Sequence, residues 1–266
     1  MTTQEPPRPP PFAVALFDVL GFENLLRTEG LTQVHHKYRV LIERAVQIPD
    51  NRFADLVDGH IVLGWMPNLH AYFSDTILLW HPLERLFARP FVGRCANMVA
   101  LALEMGMPLR GAIALGPAEL DKDSNIYLGE PIIEAARLQA QQEWVGLAFT
   151  ASAMWPNWVA EMSAHDIVPY RIPLKSEAAR EDLCGGFAVN WCRRLQDGGI
   201  ALLESLRDRL PSSEASIRRK YDNTIAFVRA AHEWVARVER EKLSGFRLVT
   251  PDQVEREGIK DPLRLK

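Results

Sequence analysis

The chain reads as an α+β protein: an antiparallel sheet with helices packed on one side, followed by a C-terminal helical appendage. Three observations predict this. Short apolar runs alternate with stretches of helical period, in the order strand, two helices, two strands, helix, two strands, helix, strand. No segment repeats another at a fixed spacing. From about Cys184 the alternation gives way to a last short strand and long helical segments rich in Arg, Glu and Ala.

Taken in order, residues 12–19 (FAVALFDV) form an apolar run between prolines and a glycine, as a buried central strand requires. From Phe22 to about Ile48 the apolar positions Leu25, Leu26, Val34, Tyr38, Leu41, Ile42 and Ala45 recur at helical spacing. Gly30 and Thr32 divide them into two helices. Residues 60–66 and 69–73 are extended and 76–80 is a strand, which puts Ser74 and Asp75 at a hairpin tip. A long amphipathic helix follows at 83–107, with Pro90 and Gly93 as possible breaks. A strand at 109–115, a polar, turn-rich stretch at 116–127 with a possible strand edge, a helix at 130–144 and a strand at 145–150 complete the series. Beyond them, 187–191 (FAVNW) is a last strand. Helices follow at 200–209 and 213–242, the latter capped by Ser212 or Ser213.

Composition removes several classes of function. With 31 basic and 34 acidic residues the formal net charge is -3, so the chain carries no basic field for nucleic acid or an anionic membrane. The cysteines Cys95, Cys184 and Cys192 lack CxxC spacing and are odd in number, which suits free thiols in a reducing cytoplasm better than zinc or disulfides. Residues 1–11 are proline-rich with no apolar core, as in a floppy lead-in. No uninterrupted run approaches about eighteen apolar residues. His35, His36 and His70 lack the spacing of metal ligands.

Four segments carry chemistry. Residues 17–22 (FDVLGF) place Asp18 at a strand end, just before Leu20, Gly21 and Phe22 open a helix, which offers a carboxylate beside unpaired backbone N–H groups. Residues 73–79 (FSDTILL) place Asp75 on the hairpin. Residues 109–116 (LRGAIALG) set Arg110 alone in an apolar strand, where a buried charge needs a partner. Residues 129–138 (GEPIIEAARL) end a helix on Arg137 behind two alanines. Each has an ordinary alternative: Asp18 as a helix N-cap, Asp75 as a turn residue, Arg137 as a solvated helix charge.

In this order the four segments resemble the class III adenylate and guanylate cyclase domain, and the resemblance covers residues 12–152. It implies a cyclase domain at 12–183 with a C-terminal strand and helical extension at 184–266. It also implies two divalent metal ions, Mn²⁺ or Mg²⁺, held by Asp18, Asp75 and the carbonyl of Val19. Phosphate is then held by the amides of Leu20, Gly21 and Phe22 and by Arg110, and Arg137 stabilises the transition state. In the family the metal residues and the arginine come from different subunits, so a homodimer with shared sites is implied.

Departures sharpen the reading. Where purine cyclases carry a lysine and an aspartate that read the base, this chain has Ala71 and Ile126. A site built to pair a purine edge loses selectivity without those groups. Tyr72 and Tyr127 flank the altered positions and can line a pyrimidine pocket or turn away from it. The pattern is similar to that of the pyrimidine cyclases of bacterial Pycsar antiviral systems, whose cyclic UMP or cyclic CMP acts on a separate effector protein. The resemblance therefore implies UTP as substrate, with CTP as the alternative. Ser74 replaces the family's glycine and Ile133 its ribose-positioning asparagine. A nucleotide-sensing domain without catalysis is the rival reading.

Overall fold

The computed structural model describes residues 11–46, 52–57, 60–65, 69–195, 199–242, 246–248 and 263–265. Strand β1 (Pro11–Val19) is central to an eight-stranded sheet, paired antiparallel with β5 (Thr76–Pro82) on one side and β6 (Leu109–Asp121) on the other. β4 (His70–Phe73) lies outside β5, and β8 (Gly146–Thr150), β10 (Cys184–Val189) and β9 (Ile167–Pro169) follow β6 in that order. β7 (Ile126–Gly129) folds back on the far end of β6. β2 (Arg52–Val57) and β3 (His60–Trp65) make a separate hairpin, and β11 (Phe246–Leu248) and β12 (Leu263–Leu265) another. The α+β class is as expected, with one exception to the antiparallel rule: β6 and β8 run parallel, joined through helix α4 (Glu130–Gln141).

The expected double helix after β1 is present as α1 (Phe22–Glu29) and α2 (Leu31–Ala45), separated at Gly30. The long helix is α3 (Arg85–Glu104), and neither Pro90 nor Gly93 breaks it. Phe91, Val92, Cys95, Met98, Val99, Ala102 and Leu103 are buried beyond the proline, and that packing outweighs one missing hydrogen bond. By length and composition α3 is apolar enough to cross a membrane, but most of it is enclosed by the fold. The strand at 52–57 escapes the sequence pattern because Arg52 and Asp55 interrupt its apolar positions. Met66 and Ile48 lie outside the described residues.

Register sorts the side chains of the sheet. Asp18 is opposite Thr76 and Arg110, and Leu16 is opposite Leu78 and Ala112, so these residues share one face. α4 covers this face with Pro131, Ala135 and Leu138, its first turn meeting Gly116. The opposite face carries Phe17, Ile77, Leu79 and His81, and α3 packs there, with the His81 and Phe87 rings 4.0 Å apart. α2 packs on α3. One-sided packing thus holds for α2 and α3, while α4 lies on the other side. Strands β1 and β6 approach so closely that a Cβ on Gly111 would stand 2.5 Å from the Leu16 carbonyl, which requires glycine there.

Helices α5 (Pro156–Val159) and α6 (Glu177–Leu183) connect the later strands, and α7 (Ile200–Asp208) leads to α8 (Ala215–Glu241). The N-cap of α8 is Glu214, without a side-chain cap, in place of the expected serine. Arg218 instead ties the α7–α8 junction together, donating to the carbonyls of Arg207 and Leu210 at 3.3 and 2.9 Å. α8 packs against the sheet. Phe227 lies 4.7 Å from Trp144, 5.0 Å from Tyr170 and 6.0 Å from Trp191, measured between ring centroids. Trp234 Nε1 donates to the Ala164 carbonyl at 2.7 Å. Burying such large apolar side chains stabilises the docked helix by about 1.5–3 kcal/mol each.

Candidate active site

The C-terminal end of β1 gathers the site. The Val19 amide donates to the Asp75 carbonyl at 3.0 Å, which ties the β4–β5 hairpin tip to the strand carrying Asp18. The tip is a tight turn with Ser74 at φ 54, a left-handed conformation that glycine would adopt at less cost. Gly21, at φ 72, turns the chain from β1 into α1. It caps a helix whose first amides have no intrahelical acceptor.

Asp18, Val19, Leu20, Gly21, Phe22, Asp75 and Arg110 line one cleft of about 320 Å³. The Leu20 amide is already used: it donates to the Pro108 carbonyl at 2.9 Å, so Gly21 and Phe22 are the amides left at this turn for an anion. Arg110 finds the partner that its sequence position demands. Its Nε donates to Asp18 Oδ2 at 2.9 Å and its Nη1 to the Gln142 carbonyl at 3.3 Å. Gln142 is itself fully buried and fixed, donating to the Gly111 carbonyl at 2.7 Å and accepting from Trp144 Nε1 at 2.8 Å. The guanidinium is therefore held in place before any ligand arrives.

Arg137 does not line this cleft. It is exposed on α4, one turn beyond Ile133, which is 55% exposed. Tyr72, Phe73 and Leu128 are exposed as well, at 60%, 84% and 63%. A groove of about 850 Å³ runs beside them, lined among others by Ala71, Tyr72, Phe73, Lys122, Asn125 and Tyr127. Of the two altered base positions Ala71 faces the groove, whereas beyond the hairpin Asn125 and Tyr127 line it in place of Ile126. Both tyrosines left open by the sequence line it. Tyr72 stacks on His70 and Tyr127 meets Trp80, with ring centroids 6.4 and 5.4 Å apart.

Two functional candidates have no motif in the sequence. Tyr38 is 7% exposed, and its hydroxyl has no hydrogen-bond partner among the described residues. Burial, and then the charges of Asp75 and Asp18, hold its phenol well above the usual range. Lys220 of α8 lines the cleft with Ile217 and Glu23. Its ammonium is pushed below the usual lysine range by burial first and by Arg110 second, against the opposing pull of Glu143 and Asp18. A helical period can give away Tyr38's burial but not its neighbours, and Lys220 lies outside the stretch that resembles the cyclases.

Among the described residues no group of three or more His, Cys, Asp or Glu side chains forms a ready metal cage. The donor set is nevertheless of the right chemistry. Two carboxylates in one cleft are hard oxygen donors, suited to Mg²⁺ or Mn²⁺ ions that take further oxygens from phosphate and water. The Tyr38 hydroxyl, without a partner among the described residues and within the electrostatic reach of both carboxylates, is a hydrogen-bond donor that would suit such an oxygen-rich shell.

No family model matches the chain, and no curated protein matches it either. Among solved structures, a class III adenylyl cyclase-like ATP-binding protein from Pseudomonas aeruginosa aligns with 87% of this chain at 15% identity and a TM-score of 0.34. The chain covers 44% of that neighbour, less than half its length. A likeness at that score assigns neither family nor activity, and the cleft's own residues carry the functional reading.

Proposed function

We propose that the protein is a class III-type nucleotidyl cyclase that converts a pyrimidine nucleoside triphosphate, UTP before CTP, into the 3',5'-cyclic monophosphate and pyrophosphate. The observation that carries this reading is the convergence of Asp18, Asp75, Arg110 and the open amides of α1 in one cleft. A turn or a cap explains each aspartate alone. Neither explains both beside a fixed arginine and a helix N-terminus.

Asp18, Asp75 and the carbonyl of Val19 would hold two divalent ions, Mn²⁺ or Mg²⁺. Ions held there would supply the charge that lowers the pKa of an attacking hydroxyl and offsets that of the triphosphate. The Gly21 and Phe22 amides and Arg110 orient the phosphates. The ribose 3'-oxygen bonds to the α-phosphorus as the bond to the β-bridging oxygen breaks. Pyrophosphate leaves and the hydroxyl proton passes to solvent. Arg137 has no role in its own cleft, which fits a homodimer in which it reaches the partner's site and stabilises charge on the α-phosphate. The exposed apolar face of Tyr72, Phe73, Leu128 and Ile133 supports a second copy as the occupant of that side. The groove beside it supports the pyrimidine preference, since Ala71 gives no hydrogen bond to a purine edge while two tyrosines offer stacking faces.

We place the protein in the cytoplasm, where its cyclic product acts on a separate effector in antiviral defence. Incubation of the pure protein with each of the four NTPs and Mn²⁺ tests the assignment. The expected result is cyclic UMP, or failing that cyclic CMP, formed with equimolar pyrophosphate and stopped by EDTA. Preference for ATP or GTP removes the pyrimidine assignment, and absence of any turnover favours a sensing domain.

A further inference from the structure

We propose that Lys220 of the C-terminal helix is a polyphosphate-binding residue of the same cleft, so that α8 is part of the substrate site and not only a packing element. The inference rests on the cyclase reading for the identity of the ligand. Its geometry is independent of that reading.

Helix α8 is clamped to the segment that holds Arg110. Thr224 Oγ1 accepts the Val145 amide at 2.8 Å and donates to the Lys220 carbonyl at 2.7 Å, which fixes the backbone of Lys220 itself. Asn223 Nδ2 donates to the Glu143 carbonyl at 2.7 Å, and Arg219 pairs with the Glu143 carboxylate at 3.0 Å. The next residue back, Gln142, receives Arg110. Within the four-residue stretch 142–145, Gln142 therefore binds Arg110 while Glu143 and Val145 bind α8. The clamp sets Lys220 on the lining of the cleft that Arg110 also lines.

Such an arrangement is unfavourable for an isolated fold, because like charges repel and burial removes water from both. Asp18 compensates Arg110, and Arg219 takes the carboxylate of Glu143 that faces α8. Among the described residues Lys220 makes no ion pair. A lysine that is partly buried, fixed at its backbone and left without a carboxylate suits a ligand of high negative charge. Asp18, Glu23 and Asp75 line the same cleft, so the ligand must arrive with divalent cations, as a nucleoside triphosphate does. An orthophosphate or a cyclic monophosphate carries less charge and fewer free phosphate oxygens than a triphosphate to share among Arg110, the α1 amides and Lys220. Lys220 thus selects substrate over product.

Titration calorimetry of magnesium tripolyphosphate against the full chain tests this without requiring turnover. Wild-type protein is expected to bind tripolyphosphate and to bind orthophosphate far more weakly. Lys220→Met should weaken tripolyphosphate about tenfold or more, the scale of one charged hydrogen bond, and Lys220→Arg should stay within about threefold of wild type. Circular dichroism checks that each variant is folded. In turnover assays Lys220→Met should raise KM for the triphosphate by a similar factor with little change in kcat. A folded Lys220→Met that binds tripolyphosphate as tightly as wild type overturns the inference, as does wild-type protein that binds none. Tripolyphosphate binding lost with Lys220 in a protein that cyclises no NTP sustains the polyphosphate site while the cyclase reading fails. Turnover with an unchanged KM in Lys220→Met does the reverse.

Discussion

The two ends of the chemistry are built in opposite ways. At the end of β1, Asp18, Asp75 and Arg110 are tied to each other and to the backbone within one chain, by the Val19–Asp75 hydrogen bond and the Asp18–Arg110–Gln142 series. On α4, Arg137 and Ile133 stand exposed, and no hydrogen bond or ion pair among the described residues holds Arg137. The contrast teaches how a site can be divided. The residues proposed to hold metal and phosphate are organised in advance, whereas Arg137, proposed to stabilise the transition state, stands on an exposed surface that the proposed second copy would cover.

The strongest way to break the comparison is at the organised end. Asp18→Ala and Asp75→Ala are each expected to reduce turnover to background with circular dichroism unchanged, since both remove oxygen ligands from one shared metal pair. Near-normal activity in a folded variant would reduce that aspartate to a cap or a turn. On the displayed face, Arg137→Ala should cost about 10²- to 10³-fold in kcat, the scale of one charge-stabilising donor. Its tripolyphosphate affinity should stay within about threefold of wild type, because the role proposed for Arg137 is on charge that develops at the α-phosphate during the reaction. Ile133→Asp is expected to weaken the dimer about tenfold or more and to lower activity in proportion to the dimer lost. Sedimentation at several concentrations reads this directly, and a wild-type protein that sediments only as a monomer would remove the interface.

The smallest effect sharpens the boundary of the organised end. Thr224→Val leaves the buried Val145 amide without its acceptor, a loss of about 1–3 kcal/mol and a Tm lower by several degrees. If the clamp also positions Lys220, tripolyphosphate binding weakens in this variant at temperatures where it is fully folded. An unchanged Tm would show that the hydrogen bond contributes nothing net.

The sequence reveals the organised end far better than the displayed one. The run at 12–19, the break at Gly30 and the hairpin tip at Ser74 and Asp75 are local signals, and each corresponds to an element in the structure. Arg110 is legible for a different reason: one charge in an apolar strand demands a partner, and register makes that partner Asp18. Contacts between distant segments leave no such trace. Nothing around Lys220 distinguishes it from the other charges of α8, and it is the contacts of Arg219, Asn223 and Thr224 with residues 143–145 that bring it to the cleft. Pro90 misleads as a local breaker because the apolar residues after it, from Phe91 to Leu103, are largely buried by packing that local sequence does not show. The unexpected parallel pairing of β6 with β8 is likewise a property of the sheet and not of either strand.

Mixing the two crippled variants tests the divided site most directly. Asp18→Ala retains Arg137, and Arg137→Ala retains Asp18, so a heterodimer of the two holds one intact pair and one doubly damaged pair. Subunit exchange is first verified by native mass spectrometry. A site shared between chains predicts that the mixture regains activity far above either parent, approaching one quarter of wild type when the subunits assort at random in equal amounts. Exchanged heterodimers as inactive as their parents would contradict the divided site and return Arg137 to its own subunit or to no role at all.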